Sequence, residues 1–278
     1  MKKIIAAINA LHFTEEELQG YQYIAKELGG HVTVVFLENL TVQEFQLANA
    51  YTDMYTMDYA RMAAETSEQM EVLRKESLEK FNRICAVNNL DFRLHEAKGL
   101  PVAEVITESR FADLLLINNS TSFAMLLNSN PPAFVKDVLA HAQCPVMVLP
   151  EKIHPVKELI FSYNGTFSSM YAIRQLTQLF SGFSDARVNV VYVAEDDNKQ
   201  MPHEKLIREY LEEHYEDVRF TVLNGNPGAE FLALLLHRND CLVTYGAYGR
   251  SRLSRFFHHS DAETVLRTIN IPVFITHP

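Results

Sequence analysis

The chain has 278 residues, a mass of 31.8 kDa and 47% hydrophobic residues, which is enough for one large domain or two ordinary ones with buried cores. Its formal net charge is −10 and its pI is near 5.6. Such an acidic chain lacks the basic footprint that nucleic acids and anionic membranes require, so we expect neither as a partner. A small anion can still bind at a local site.

The chain has three cysteines, Cys85, Cys144 and Cys241, with neither CxxC spacing nor a matching histidine pair. We therefore expect no disulfide framework and no zinc site, and a reduced cytoplasmic environment. The apolar opening is interrupted at Asn9 and soon followed by acidic residues, so we expect a first strand rather than a signal peptide. No apolar run approaches the ~20 residues of a membrane helix.

The two halves of the chain repeat one another. Residues 31–36 (HVTVVF) return as 187–192 (RVNVVY), and 99–104 (GLPVAE) return as 225–230 (GNPGAE). Pro145 and Pro272 stand in a further matching pair of segments. We therefore predict two copies of one unit, the first over 1–150 and the second over 151–278, each of ordinary domain size.

Within each copy, short β-branched runs alternate with helical patterns, which is typical of a parallel sheet covered by helices on both faces. We predict second-half strands near 157–163, 187–193, 218–223, 240–245 and 272–276. The helices are predicted near 167–181, 203–214, 227–237 and 260–269. Right-handed crossovers then favour an α/β, doubly wound sheet with a ligand crevice at the carboxyl ends of the strands.

The first copy carries about thirty extra residues between its second strand and Gly99, in a segment at 40–88. This segment contains no Gly or Pro, and its composition favours a long helix or a helical hairpin. Tyr51, Tyr55, Tyr59 and Met62 recur within it at helical spacing. Such a stripe indicates packing against the domain core, with a lid or a partner-binding face as the alternative.

A glycine-containing loop stands out in the second half. A buried strand pattern runs into Gly246 and Gly249, and a Ser260-x-x-Glu263 capping box opens the next helix. Glycines let the backbone approach an anion, and the first N–H groups of a helix bind phosphate. Arg250 is the nearest fixed positive charge. The alternative is purely structural, with Ser260 as an N-cap and the glycines as a turn.

The pattern Gly246-x2-Gly249-x9-His259-Ser260 resembles the signature of the universal stress protein family, Gly-x2-Gly-x9-Gly-(Ser/Thr), which binds the ribose and phosphates of ATP. His259 stands where the family has its third glycine. The resemblance covers essentially the whole chain as two copies. It implies two tandem five-stranded sheets of strand order 3-2-1-4-5, and ATP or a related adenine nucleotide as ligand, with Mg²⁺ as its companion ion.

The resemblance also implies two contacts at strand ends. The acidic residue that the family places near the nucleoside corresponds to Asn164, which keeps an acceptor but loses the charge. The backbone contact to the base corresponds to Val193. A histidine at position 259 loses the close backbone approach that a glycine allows, so we expect weaker binding. Its ring adds N–H donors, so we expect binding to strengthen as the pH falls through the histidine range. The expected nucleotide contacts are Asn164, Val193, Gly246, Gly249, Arg250, His259 and Ser260.

The first copy lacks these features. Asn119, Ser122 and Ala133 replace the two glycines and the serine, and Pro132 replaces the histidine, so we predict no nucleotide site there. In similar single-domain proteins the last strands pair across a two-fold axis. We therefore expect residues 145–149 and 272–276 to meet antiparallel, making the two halves an intramolecular pseudo-dimer. Further homodimerisation stays open.

The chain has no Walker, Gly-x-Gly-x-x-Gly or Gly-x-Ser-x-Gly motif, and no nucleophile and base can be paired. We therefore predict that it is not an enzyme, beyond slow hydrolysis of bound ATP at most, and that it holds no intrinsic metal. Two functions remain. One is a stress-response or signalling module whose nucleotide occupancy a protein partner senses, and the other is a nucleotide-free scaffold that acts through protein contacts.

Overall fold

The computed structural model describes residues 2–38, 58–97, 99–124, 129–195, 200–246 and 268–276. The first half runs β1 (Lys3–Asn9), α1 (Glu15–Leu28), β2 (His31–Leu37), α2 (Asp58–Asn88), β3 (Phe92–Ala97), α3 (Pro101–Ser109), β4 (Leu114–Asn118), α4 (Ala133–His141) and β5 (Val146–Leu149). The predicted helix in the extra segment is confirmed over Asp58–Asn88. Residues 39–57, including Tyr51 and Tyr55, lie outside the described ranges.

The second half repeats this order. It runs β6 (Glu158–Ser162), α5 (Phe167–Leu179), a 3-10 turn (Ser181–Phe183), β7 (Arg187–Ala194), α6 (Glu204–Glu212), β8 (Val218–Asn224), α7 (Pro227–Leu235), β9 (Cys241–Gly246) and β10 (Val273–Thr276). All five predicted strands and the first three predicted helices are confirmed. The predicted helix near 260–269 falls almost entirely outside the described residues.

The ten strands form one sheet in the order β3-β2-β1-β4-β5-β10-β9-β6-β7-β8. Each half therefore has the strand order 3-2-1-4-5 that the resemblance implies. The halves join where β5 and β10 pair antiparallel, with Val273 opposite Val148 and Ile275 opposite Val146. All other described neighbours are parallel. The predicted meeting of the last strands is thus observed, and it turns two sheet edges into one continuous ladder.

A hydrophobic core lies on each face of the sheet. One core packs α1, α2, α5 and α6 against the strands. The other packs α3, α4 and α7 against the opposite face. Strands buried on both faces explain the near-continuous apolar runs in the sequence, such as the fully buried Leu114–Asn118. Of the described helices, none combines the length and apolar character needed to cross a membrane.

The C-terminal part of α2 docks on the first half through aromatic packing. Phe81 is buried, and its ring lies 6.2 Å from that of Phe13 and 6.0 Å from that of Phe36, both edge to face. Lys80 Nζ donates to the carbonyl of Phe13 at 2.8 Å and lies 4.3 Å from the centre of its ring. These contacts join α2 to the loop after β1.

The start of α1 contains a buried carboxyl group. Thr14 is the N-cap, and its side chain accepts from the backbone N–H of Glu17. The backbone N–H of Thr14 donates in return to the Glu17 carboxyl group, which completes a capping box. Tyr21, also buried, donates its hydroxyl to Glu17 Oε1 at 2.7 Å. Burial outweighs these bonds and the attraction of Lys80, and raises the pKa of Glu17 to about 7.

Candidate functional site

The candidate site lies at the carboxyl ends of β6, β7 and β9 in the second half. In these ladders Ser162 pairs with Val191 and Phe161 pairs with Thr244. Asn164, Val193 and Gly246 therefore follow at the same edge of the sheet. The chain leaves β6 through α5 on one face and enters β9 from α7 on the other, so this edge is the topological switch point where open α/β sheets bind ligands.

The structure brings three of the seven expected contacts to this edge, namely Asn164, Val193 and Gly246. The other four, Gly249, Arg250, His259 and Ser260, lie outside the described residues, so their positions stay predictions. Within the described ranges, no three His, Cys, Asp or Glu side chains are close enough together to hold a metal ion.

Asn164 organises the loop between β6 and α5. Its Oδ1 accepts from the backbone N–H of Thr166 at 3.2 Å and from the Thr166 hydroxyl at 2.7 Å. Thr166 is itself the N-cap of α5 and accepts from the N–H of Ser169. The Oδ1 acceptor of Asn164 is therefore already engaged within the loop, and a ligand group that donates to it has to share it.

At the candidate site Val193 can offer its backbone but not its side chain. The side chain is buried in the core on the α7 face of the sheet. Val193 pairs with Leu223 of β8. On the other side, the ladder to β6 ends with the bond from Tyr163 N–H to the carbonyl of Val191 at 3.0 Å. Val193 thus lies beyond the end of the neighbouring strand β6.

Gly246 has a packing reason that is independent of any ligand. A Cβ at this position would lie 2.5 Å from the backbone nitrogen of Ser169 and still closer to the carbonyl oxygen of Ser168. The end of β9 therefore passes directly over the first turn of α5. Only glycine allows this approach without moving the helix.

We expect Gly246→Ala to lower the free energy of unfolding by about 1–3 kcal/mol, because its methyl group overlaps backbone atoms that cannot move away as a side chain does. Gly20→Ala is a matched control inside α1, where an added Cβ would lie 3.6 Å from Ile153 in ordinary contact. We expect that variant to raise the free energy of unfolding by up to about 1 kcal/mol. Urea denaturation compares them, and equal effects would show that Gly246 is not constrained by α5.

The corresponding edge of the first half is closed by the chain itself. Asn9 occupies the position of Asn164 and is buried. Its Nδ2 donates to the carbonyl of Ser122 at 2.7 Å, and its Oδ1 accepts from the N–H of Leu11 at 3.0 Å. Ser122 is the first-half counterpart of Gly249. Here the end of β1 is bound directly to the loop after β4.

Sequence reasoning missed a cavity of about 250 Å³ beside the candidate site. It lies between the starts of α5 and α6 and is lined by Tyr163, Gly165, Thr166, Phe167, Met170, His203, Leu206 and Ile207. One signal was available: Asn9 and Thr14 are separated by four residues, whereas Asn164 and Thr166 are separated by one. The loop between the first strand and the first helix is therefore shorter in the second copy. Fewer side chains are available there to fill the space beside the helix.

The fold defines a class, proteins of two repeated α/β units that share one sheet, and in this chain Asn164, Val193 and Gly246 lie at the switch point of the second unit. Within this class, residues 180–277 match the model of the Universal stress protein family. The chain therefore carries a universal stress protein domain in its second half.

Solved structures extend the likeness of fold to the whole chain. A universal stress protein from Archaeoglobus fulgidus superposes with a TM-score of 0.69 at 18% identity, covering 99% of this chain and 96% of that one. A putative universal stress protein from Pseudomonas aeruginosa gives a TM-score of 0.56 at 14% identity, over 100% of this chain and 94% of that one. A functionally unknown protein from the same species gives 0.55 at 13%, over 100% and 93%. None of the curated proteins matches the chain.

Proposed function

We propose that the protein is a stress-response or signalling module that binds one adenine nucleotide, ATP or a related one, in its second half. It acts as a binding protein rather than as an enzyme, and a protein partner reads its nucleotide occupancy. The observation that carries the proposal is the position of Asn164, Val193 and Gly246, which follow the carboxyl ends of β6, β7 and β9 at the switch point of the second half.

The chemistry of a nucleotide suits this edge. Parallel strand ends and the start of a following helix present N–H groups, which favour an anion. The phosphates are proposed to lie over Gly246, Gly249 and Ser260, with Arg250 and His259 as charged or donor side chains and Mg²⁺ as a companion ion. The base is proposed to lie near Asn164 and Val193. Nothing in this scheme requires a nucleophile, so binding and release are the functional events.

Calorimetric titration with MgATP tests the proposal. We expect one site per chain in the wild type, and no binding in Gly249→Val because a branched side chain blocks the backbone approach to phosphate. Ser122→Val changes the first-half counterpart and is the matched control, which should bind as the wild type does. His259→Gly restores the family pattern and should bind more tightly, by about tenfold if the histidine holds a left-handed conformation.

Three outcomes separate the alternatives. Two equivalent sites per chain would contradict the closed first half. Tight binding by His259→Gly with none in the wild type would mean that the natural site is blocked. Negligible affinity in the wild type and in every variant, together with no adenine nucleotide released from the purified protein on acid denaturation, would leave a nucleotide-free scaffold as the function.

A further inference from the structure

The loop that carries Asn164 lies in close contact with the segment that leads into α6. Gly165, the next residue, has a left-handed backbone with φ +77°. A Cβ built on it would lie 2.7 Å from Pro202 Cβ and 3.0 Å from Pro202 Cγ. The proline ring therefore packs directly on the glycine backbone, and a larger side chain at position 165 does not fit unless one of the two loops shifts.

The proline is held in place from both sides. Met201, just before it, is buried in the core on the α5 and α6 face of the sheet, and Ile207 is buried in the first turn of α6. His203, just after it, is the N-cap of α6 and has a left-handed backbone, with φ +54°. That conformation is strained in a residue other than glycine and persists only where the surroundings impose it. Since the ring also fixes φ of Pro202, the segment offers Gly165 a rigid surface.

Gly165 is the central residue of the turn that Asn164 organises. Asn164 Oδ1 accepts from the backbone N–H of Thr166 at 3.2 Å and from its hydroxyl at 2.7 Å, so both bonds span the glycine. Thr166 also caps α5, which fixes one end of the turn. The direction in which the Asn164 side chain faces a ligand therefore depends on the backbone of Gly165, which Pro202 contacts.

The first half anchors its equivalent turn in another way. Asn9 Oδ1 accepts from the N–H of Leu11 at 3.0 Å, and its Nδ2 donates to the carbonyl of Ser122 at 2.7 Å. This anchor acts on the asparagine side chain, and Asn9 is buried. In the second half the proline acts on the neighbouring Gly165, and Asn164 is exposed. An anchor on the adjacent backbone fixes the turn and still leaves the asparagine where a ligand reaches it.

We propose that Pro202 is a positioning residue for Asn164. Its ring, seated on Gly165, holds the turn so that the Asn164 amide group faces a ribose hydroxyl of the bound nucleotide. Pro202 acts through the glycine and not through a bond to the ligand. Without the ring the turn samples other conformations, and ordering it on binding costs affinity. The inference rests on the proposed function, since it concerns how that same site recognises the sugar.

Hydrogen exchange of the Thr166 amide in the nucleotide-free chain tests the contact itself. We expect Pro202→Gly to speed this exchange about tenfold, because the bond to Asn164 opens more often. Pro155→Gly, at an exposed position between β5 and β6, is the matched control and should exchange as the wild type does. Pro202→Ala removes only the ring closure and should give a smaller increase, which keeps the test decisive if Pro202→Gly does not fold. Equal exchange in the Pro202 variants and the control would overturn the inference.

Selectivity for the sugar tests the role in binding. By calorimetry, the wild type should bind MgATP about tenfold more tightly than its 2′-deoxy or its 3′-deoxy analogue, and Asn164→Ala should remove this preference. Pro202→Gly should reduce the preference to about twofold or less, while Pro155→Gly keeps it.

Two binding results would overturn the inference. One is that Pro202→Gly weakens all three nucleotides by the same factor, as a purely structural role would. The other is that the wild type binds ATP and both analogues equally. Absence of all nucleotide binding by the wild type would overturn the proposed function and the ribose role with it, whereas unchanged Thr166 exchange overturns this inference alone.

Discussion

Glu17→Gln should remove a large pH dependence from the stability of the protein. In the folded chain, burial raises the pKa of Glu17 from its ordinary value of 4.5 to about 7. A raised pKa in the folded state means that the unfolded chain loses this proton first as the pH rises. The wild type is therefore destabilised progressively between about pH 4.5 and 7, and each pKa unit corresponds to about 1.4 kcal/mol.

The free energy of unfolding of the wild type should fall by roughly 3 kcal/mol between pH 4 and pH 8 because of this one group. Glutamine keeps a side-chain acceptor for the Tyr21 hydroxyl and can complete the capping box, but it does not ionise. Glu16→Gln, at the exposed neighbouring position, is the matched control and should keep the wild-type pH dependence. Urea denaturation across this pH range measures the effect, and identical pH profiles for Glu17→Gln and the wild type would contradict the buried carboxyl.

Phe81→Ala should cost about 3–5 kcal/mol of unfolding free energy, which makes it the most destabilising single truncation we predict. Phe81 is buried and contacts three aromatic rings, those of Phe13, Phe36 and Phe92. Its loss leaves a cavity between α2 and the sheet that the rigid neighbours cannot fill. Chemical denaturation followed by circular dichroism gives the free energy.

Val87→Ala, near the end of the same helix and 78% exposed, is the control and should change stability by less than about 0.5 kcal/mol. If Phe81→Ala were as mild as this control, the C-terminal part of α2 would not be docked on the first half. A selective loss of helix signal without loss of the cooperative transition would instead show that α2 detaches by itself.

The two halves use one architecture in different ways. In the first, Asn9 binds the loop after β4, Phe13 fills the space beside α2, and Glu17 is buried at the start of α1. In the second, the positions of Phe13 and Glu17 hold Gly165 and Ser169. Chain groups thus complete the first unit internally, whereas the corresponding edge of the second unit is where we propose that the nucleotide binds.

Much of the fold could be predicted because its signals are local. The β-branched runs at 187–193 and 218–223 match β7 and β8, since alternating and buried apolar patterns depend on neighbouring residues. The long uninterrupted stretch up to Asn88 matches α2 because no Gly or Pro interrupts it. The nucleotide loop was predicted from the glycine spacing, the capping box at Ser260 and the resemblance to the universal stress protein family. Gly249, Arg250, His259 and Ser260 lie outside the described residues, so their roles stay predictions.

The sequence by itself determined the repeat, the strands and the alternation of strands and helices, because each depends on periodicity and on turn residues close in the chain. The tertiary structure decided what each position does. Asn9 closes the first edge through Ser122, 113 residues away. Gly246 is required by the backbone of α5 rather than by a turn. Contacts of this kind arise only when distant segments pack, so no local pattern contains them.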